Sequence, residues 1–252
     1  MTIGSEEAKV SKENEINYVQ NMSKVLAVDE IEVRRALLNK PWNVPRASRY
    51  FLDFGQILQL LPPVPARVLD LGVGPGWTSI FLARCGYVML GLDIAPDMVR
   101  IAADNVPPGL SVNFSCCDYE ADLPAEGFDA VLIYDALHHA TDEGAVIRNA
   151  YKALREGGMF ITAEPGAGHS VQPGSLEAAR KFGTTEKDME FERQQPLMRK
   201  AGFREVRQYL RLSELPLVPV NTDAAAEQLA QFSGLVVQTT QRGLTSVIVA
   251  VK

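Results

Sequence analysis

One stretch constrains this chain more than any other: Val68-Leu69-Asp70-Leu71-Gly72-Val73-Gly74-Pro75-Gly76-Trp77-Thr78. Val68, Leu69 and Leu71 around a single acid read as a strand of a parallel sheet, buried on both faces. Gly72, Gly74 and Gly76 strip the Cβ from alternate positions of the bend, so the backbone can turn sharply and approach a ligand closely. Trp77 to Ala83 is helix-forming, and the free N–H groups of that helix's first turn face the same bend. Such a strand, turn and helix suit a nucleoside-type ligand.

From there strand-like and helix-like patterns alternate: strands at 67–71, 87–93, 110–117, 128–134 and 158–164, with helices at 76–85, 96–105 and 142–156. Alternation of this kind predicts a parallel sheet covered by helices on both faces, with ligands at the carboxyl ends of its strands. After Glu164 the sequence predicts a glycine- and proline-rich loop, a helix at 187–201, a strand at 203–212 and a last strand at 246–251. The stretch 215–243 reads as a lid or mobile loop. Residues 1–65 form an expected helical cap: a frayed start over 1–15, apolar positions at helical spacing over 16–38, a turn at 40–45 and a helix at 48–61 closed by Pro62, Pro63 and Pro65. The catalytic fold is expected over 66–252.

A chain of 252 residues with 46% hydrophobic content can bury a substantial core, compatible with one α/β domain and appendages. Its net charge of −6 argues against a nucleic-acid partner. No run approaches the roughly 18 apolar residues of a membrane span, so no membrane is expected and the localisation reads as cytoplasmic. Cys85, Cys116 and Cys117 are odd in number and lack metal-ligand spacing, which predicts packing roles.

The spacing of the loop separates two ligand classes. A dinucleotide fingerprint needs G-x-G-x-x-G, yet Trp77 stands where the third glycine belongs, and Pro75 removes an N–H donor. The chain reads Asp-x-Gly-x-Gly-x-Gly instead, with Asp70 as the acid. In this pattern, with an acid at Asp93 and another at Asp118 following in order, the sequence resembles the class I S-adenosylmethionine-dependent methyltransferases. Asp93 closes the second strand about 20 residues beyond the loop, where an acid accepts hydrogen bonds from both ribose hydroxyls.

The resemblance implies a Rossmann-like doubly wound sheet, mostly parallel, whose final strand inserts antiparallel between its two predecessors. It implies S-adenosylmethionine as cofactor, with Asp70 near the ammonium, Gly72, Gly74, Gly76 and Trp77 at the amino-acid end, and Asp118 at the adenine amino group. Ile94, Met98, Cys117, Tyr119, Tyr134 and Asp135 complete the expected cofactor site, and Tyr18 is a further candidate for the methionine carboxylate.

Methyl transfer needs chiefly proximity and alignment, but a hydroxyl acceptor also has a proton to lose, which a histidine can take. His138 and His139 follow the fourth strand and His169 follows the fifth, which makes them the candidate bases. Tyr134-Asp135-Ala136-Leu137 departs from the Asn-Pro-Pro-Tyr/Phe tetrapeptide of amino methyltransferases, favouring oxygen over nitrogen. Asp135, His138 and His139 do not reproduce the acidic site of catechol-type enzymes, so no metal is expected. Asp135 and Glu164 are expected to orient the acceptor. Trp42, Tyr50, Phe51 and Phe54, with Arg46 and Arg49, form either core or a roof over cofactor and acceptor. The expected partner is a small-molecule methyl acceptor, with a sugar or secondary-metabolite hydroxyl favoured. A regulatory module that binds S-adenosylmethionine without methyl transfer, an NAD-dependent oxidoreductase and a macromolecular methyltransferase are the rival readings. Oligomeric state is not legible.

Overall fold

In a computed structural model, residues 5–45, 47–121, 123–124, 126–215, 225–241 and 246–252 are described. A seven-stranded sheet organises them, in the order β3-β2-β1-β4-β5-β7-β6. Its strands are β1 (Arg67–Leu71), β2 (Val88–Asp93), β3 (Val112–Cys116), β4 (Phe128–Tyr134), β5 (Leu154–Glu164), β6 (Glu205–Leu210) and β7 (Ser246–Val251). The first five strands pair in parallel, whereas β7 runs antiparallel to both β5 and β6 and lies between them. This is the Rossmann-like order that the resemblance implied. The strand order reverses beside β1, so the bends after β1 and β4 open side by side at the carboxyl edge.

The helices are α1 (Ser5–Ile16), α2 (Tyr18–Leu26), α3 (Glu30–Leu38), α4 (Ala47–Leu60), α5 (Trp77–Arg84), α6 (Pro96–Asp104), α7 (Glu143–Ala153), α8 (Pro173–Phe182), α9 (Phe191–Ala201) and α10 (Ala225–Gln241). One core cluster joins β1, β4 and β5 to α7 and α9 through residues such as Leu69, Val131, Phe160 and Ile147. A second cluster seats α4 and α5 on the sheet, with Phe54, Ile57, Trp77 and Leu82 against Val68 and Leu132. Val19 of α2 and Val33 of α3 pack with Met98 and Ile101 of α6.

Several expectations are corrected. The start of the chain is not frayed from residue 5 onward: α1 is a helix held by polar contacts, Ser11 to Thr185 at 2.8 Å and Lys12 to Asp118 at 2.7 Å. Such a helix carries no apolar stripe, so periodicity does not reveal it. The 16–38 stretch is two helices, because Ala27 turns left-handed at φ 53° and the Asp29 side chain caps α3 through Glu32 N. Residues 154–156, assigned to the end of a helix, begin β5, and Leu154 pairs with Phe128 across a register shift. The loop after Glu164 contains α8, and α9 starts at Phe191 rather than 187. Part of the stretch read as a mobile loop is α10, while 216–224 and 242–245 lie outside the described residues, as does Arg46.

Gly76 shows why the loop needs its third glycine. It sits at φ +80°, and a Cβ there would stand 2.6 Å from Ala102 Cβ and 2.8 Å from the Phe114 ring. Gly76→Ala is expected to cost about 2–4 kcal/mol, combining left-handed strain with overpacking. Urea denaturation checks this, and a loss below about 1 kcal/mol would contradict it.

Candidate cofactor and acceptor site

The bend after β1 holds itself open through its own backbone. Gly72 N–H and Val73 N–H both donate to Leu92 O, at 2.8 and 3.1 Å, tying the loop to the end of β2. Gly74 N–H donates to Asp93 Oδ2 at 2.8 Å, while Asp93 Oδ1 accepts from Ala95 N–H at 2.9 Å. One carboxylate thus fixes the glycine loop and the entry to α6 together. Burial raises the Asp93 pKa, against the two N–H bonds.

A cavity of about 210 Å³ lies over this loop, lined by Gly72, Gly74, Asp93, Ile94, Met98, Tyr119, Asp135 and His139 among the expected residues. Glu15 and Tyr18 from the helical cap also line it. Asp70, Gly76, Trp77, Cys117, Asp118 and Tyr134 do not. Asp70 is buried under α5 and accepts from Thr78 Oγ1 at 2.6 Å and Ser79 Oγ at 2.7 Å, with burial raising its pKa to about 6. It anchors the first turn of the helix rather than facing the cavity. Trp77 packs edge-on against Tyr50 and Tyr134. Asp118 is engaged by Lys12, and Cys117 hydrogen-bonds locally through Sγ to Asp118 O. The Tyr134 hydroxyl donates to Asp53 at 2.6 Å, inside the core.

A second cavity, of about 380 Å³, meets the first at Lys40 and Asp135 and includes Arg49, His138, His169 and Glu214. Asp135 is held at φ 47° by Arg49 and Arg211, whose charges outweigh burial and lower its pKa. All three histidines of the chain gather where the two cavities meet, His138 and His169 lining the second and His139 the first. The ring centroids of His138 and His139 are 4.0 Å apart, and those of His138 and His169 5.0 Å.

Their protonation is set by neighbours. Glu164, buried at the end of β5, accepts from the backbone N–H groups of Ala136, Leu137 and His138, and from His138 Nδ1 at 2.7 Å. With Glu164 as acceptor, Nδ1 carries the proton and Nε2 keeps the lone pair. Burial opposes charge on His138, but the bond to Glu164 and nearby acids prevail, and its pKa is raised. His139 donates from Nδ1 to Thr185 O at 2.8 Å, and burial beside His138 lowers its pKa to about 4. His169 Nε2 lies 2.9 Å from Glu186 Oε2. His138, His169 and Glu186 each bring one ligand-type atom within 4.8 Å of the others. The spacing of the histidines carries no sign of Glu186.

Glu15 was also invisible to sequence reasoning, since α1 has no apolar register to orient it. Its Oε1 is buried without a hydrogen-bond partner, and burial, with Asp93 and Glu186 nearby, raises its pKa to about 7. Folding therefore tightens its proton, a stabilisation complete below the ordinary value of 4.5 and lost as pH rises through about 7. Glu15→Gln should accordingly match the parent near pH 4 and exceed it by about 1–3 kcal/mol at pH 8 without cofactor. Thermal melts across that range test the sign, and a variant less stable at pH 8 would refute it.

The cavity fits a cationic nucleoside. Glu15 and Asp93 are two acids facing one space with an orphaned oxygen, and a Cβ on Gly74 would meet nothing within 4 Å, leaving the loop accessible. Comparison agrees. Residues 68–158 match the family described as methyltransferase domain. A ubiquinone biosynthesis O-methyltransferase of Xanthomonas axonopodis pv. citri is 33% identical over 141 residues, a match spanning 52% of this chain and 59% of that protein. Among solved structures, a chain of the complex between the Haloferax volcanii Trm112 methyltransferase activator and a methyltransferase aligns with a TM-score of 0.64 at 21% identity, covering 86% of this chain and 96% of that one. Phosphoethanolamine N-methyltransferase 2 of Haemonchus contortus, solved with S-adenosyl-L-methionine, aligns at 0.57 and 19% identity over 87% of this chain and 60% of its own. Residues 68–158 thus match a methyltransferase domain, and the sheet order and the glycine loop over β1 are similar to those of the class I S-adenosylmethionine-dependent methyltransferases.

Proposed function

We propose that the chain transfers a methyl group from S-adenosylmethionine to a hydroxyl oxygen of a small molecule of the secondary-metabolite or sugar kind. The observation that carries this reading is the His138–Glu164 pair, placed where the acceptor cavity adjoins the cofactor cavity. Residues 66–252 supply the transferase domain and residues 1–65 its cap, from which Glu15 and Tyr18 reach the cofactor.

S-adenosylmethionine supplies an electrophilic methyl group on a sulfonium, open to in-line attack. Asp93, Gly72 and Gly74 hold the nucleoside and amino-acid ends, with Ile94, Met98 and Tyr119 as walls. Asp70, Gly76, Trp77, Cys117, Asp118 and Tyr134 contribute from behind, by fixing the loop, the helix and the strand ends. His138 Nε2 would take the hydroxyl proton as the oxygen–carbon bond forms and the methyl–sulfur bond breaks, its electron pair leaving on sulfur as neutral S-adenosylhomocysteine, and Glu164 and Glu186 would stabilise the imidazolium. His169 keeps Glu186 in place. His139, held neutral by burial, adds no positive charge beside a cationic donor. Arg49 and Asp135 orient the acceptor, and closure of the cap excludes water. The oxygen preference is supported by the named O-methyltransferase relative. No step requires a metal.

The test measures methyl transfer from isotopically labelled donor to a panel of phenolic and sugar hydroxyls, with divalent cations chelated. His138→Ala is expected to lower kcat about 10²–10⁴-fold while leaving affinity for S-adenosylhomocysteine within about threefold. Undiminished turnover in the variant, or activity that returns only with an added cation, would defeat the assignment of the base.

A further inference from the structure

A third cavity, of about 370 Å³, is lined by six aromatic rings: Trp42, Tyr50, Phe51, Phe54, Trp77 and Phe81. Its inner wall is ordinary core, since Phe54 is fully buried and Trp77 is 8% exposed, their centroids 4.8 Å apart. The outer wall is different. Trp42 is 73% exposed and Phe51 38%, with ring centroids at 5.1 Å, so two large aromatic faces stand partly in water at the mouth of an apolar space. Exposed rings grouped beside a cavity mark a surface that binds something apolar.

The position of the cavity identifies what enters it. Lys40 and Tyr50 line this cavity and the acceptor cavity alike, and Lys40 Nζ stands 5.5 Å above the Tyr50 ring. Lys40 and Tyr50 thus stand on the boundary between a polar chamber and an aromatic one, the lysine stem offering apolar surface beside the ring. We propose that the acceptor is an amphiphile whose hydroxyl-bearing head sits among Arg49, Asp135, His138 and His169 while an apolar tail passes Lys40 and Tyr50 into the aromatic cavity. The inference rests on the methyl-transfer reading only for where the head lies.

The experiment uses the methyl, butyl and octyl esters of protocatechuic acid, which share a hydroxylated head and differ only in apolar length. Calorimetry with the full chain and S-adenosylhomocysteine present should show affinity rising by about threefold per added methylene until the cavity is filled. Trp42→Ser combined with Phe51→Ser should flatten that rise, with cofactor affinity as the control for folding. Trp42 and Trp77 are the two tryptophans of the chain, and both line the cavity. Their emission should shift with octanol and not with ethanol. Affinity independent of ester length, or a rise that survives both substitutions, overturns the proposal. A change of emission with protein concentration alone would assign the cavity to a second copy of the chain and equally overturn it. Binding that strengthens with chain length while no ester is methylated would sink the catalytic reading and leave the aromatic cavity as a hydrophobe site.

Discussion

Asp93→Ala is expected to weaken cofactor binding by about 100-fold or more, the largest single loss at the donor site. The carboxylate already holds Gly74 N–H at 2.8 Å and Ala95 N–H at 2.9 Å. Removing it deletes the acceptor proposed for the ribose hydroxyls and frees the loop that must lie against the donor. Both costs act on the bound state. Asp93→Asn is a sharper probe, because an amide turned toward Gly74 sets one donor against another, while the opposite orientation does the same at Ala95. Calorimetric titration with S-adenosylhomocysteine and with NAD reads the outcome. A dissociation constant within about threefold of the parent, or a preference for NAD, would remove the donor site as assigned.

Arg211→Ala is expected to destabilise the fold by about 3–5 kcal/mol, more than any surface substitution. Arg211 and Asp53 are both fully buried, with Nη2 to Oδ2 at 2.8 Å. Truncating the arginine leaves a carboxylate in the core whose remaining contacts are the Tyr134 hydroxyl at 2.6 Å and Arg49 Nε at 3.9 Å. A charge so placed is costly because its compensation was local. The double change Arg211→Met with Asp53→Leu should recover much of the loss, since the pair is worth less than the price of breaking it. Urea unfolding of both variants beside the parent checks this, and an Arg211→Ala protein within about 1 kcal/mol of the parent would contradict it. Arg211 also lies 3.3 Å from Asp135, so the same variant should impair the acceptor cavity before it unfolds.

What was legible in the sequence follows from how each segment is stabilised. β4 and β7 were placed at their observed bounds, 128–134 and 246–251, because strands buried on both faces advertise themselves as unbroken apolar runs. The strand order came from the resemblance, since periodicity carries no information about which strand lies beside which. α1 escaped because its contacts are polar, and α8 because Pro173 and Gly174 at its start look like loop. In the site, the glycine turn, Asp93 and the histidines were visible as residue types at strand ends. The partners that tune them were not. Glu164 was recognised as an orienting acid, yet its bond to His138 depends on two neighbouring strands ending level, and Glu186 and Glu15 arrive from segments distant along the chain. Asp70 and Trp77, legible as loop neighbours, turned out to serve helix anchoring and aromatic packing.

The insertion of β7 between β5 and β6 orders assembly in time. Until the last-made strand docks, β5 offers a bare edge and β6 has nothing to zip onto, so the half of the sheet that carries Glu164 closes late. A nascent polypeptide can therefore build the half bearing the glycine turn early, whereas the wall that ends in Glu164 waits for the closing keystone.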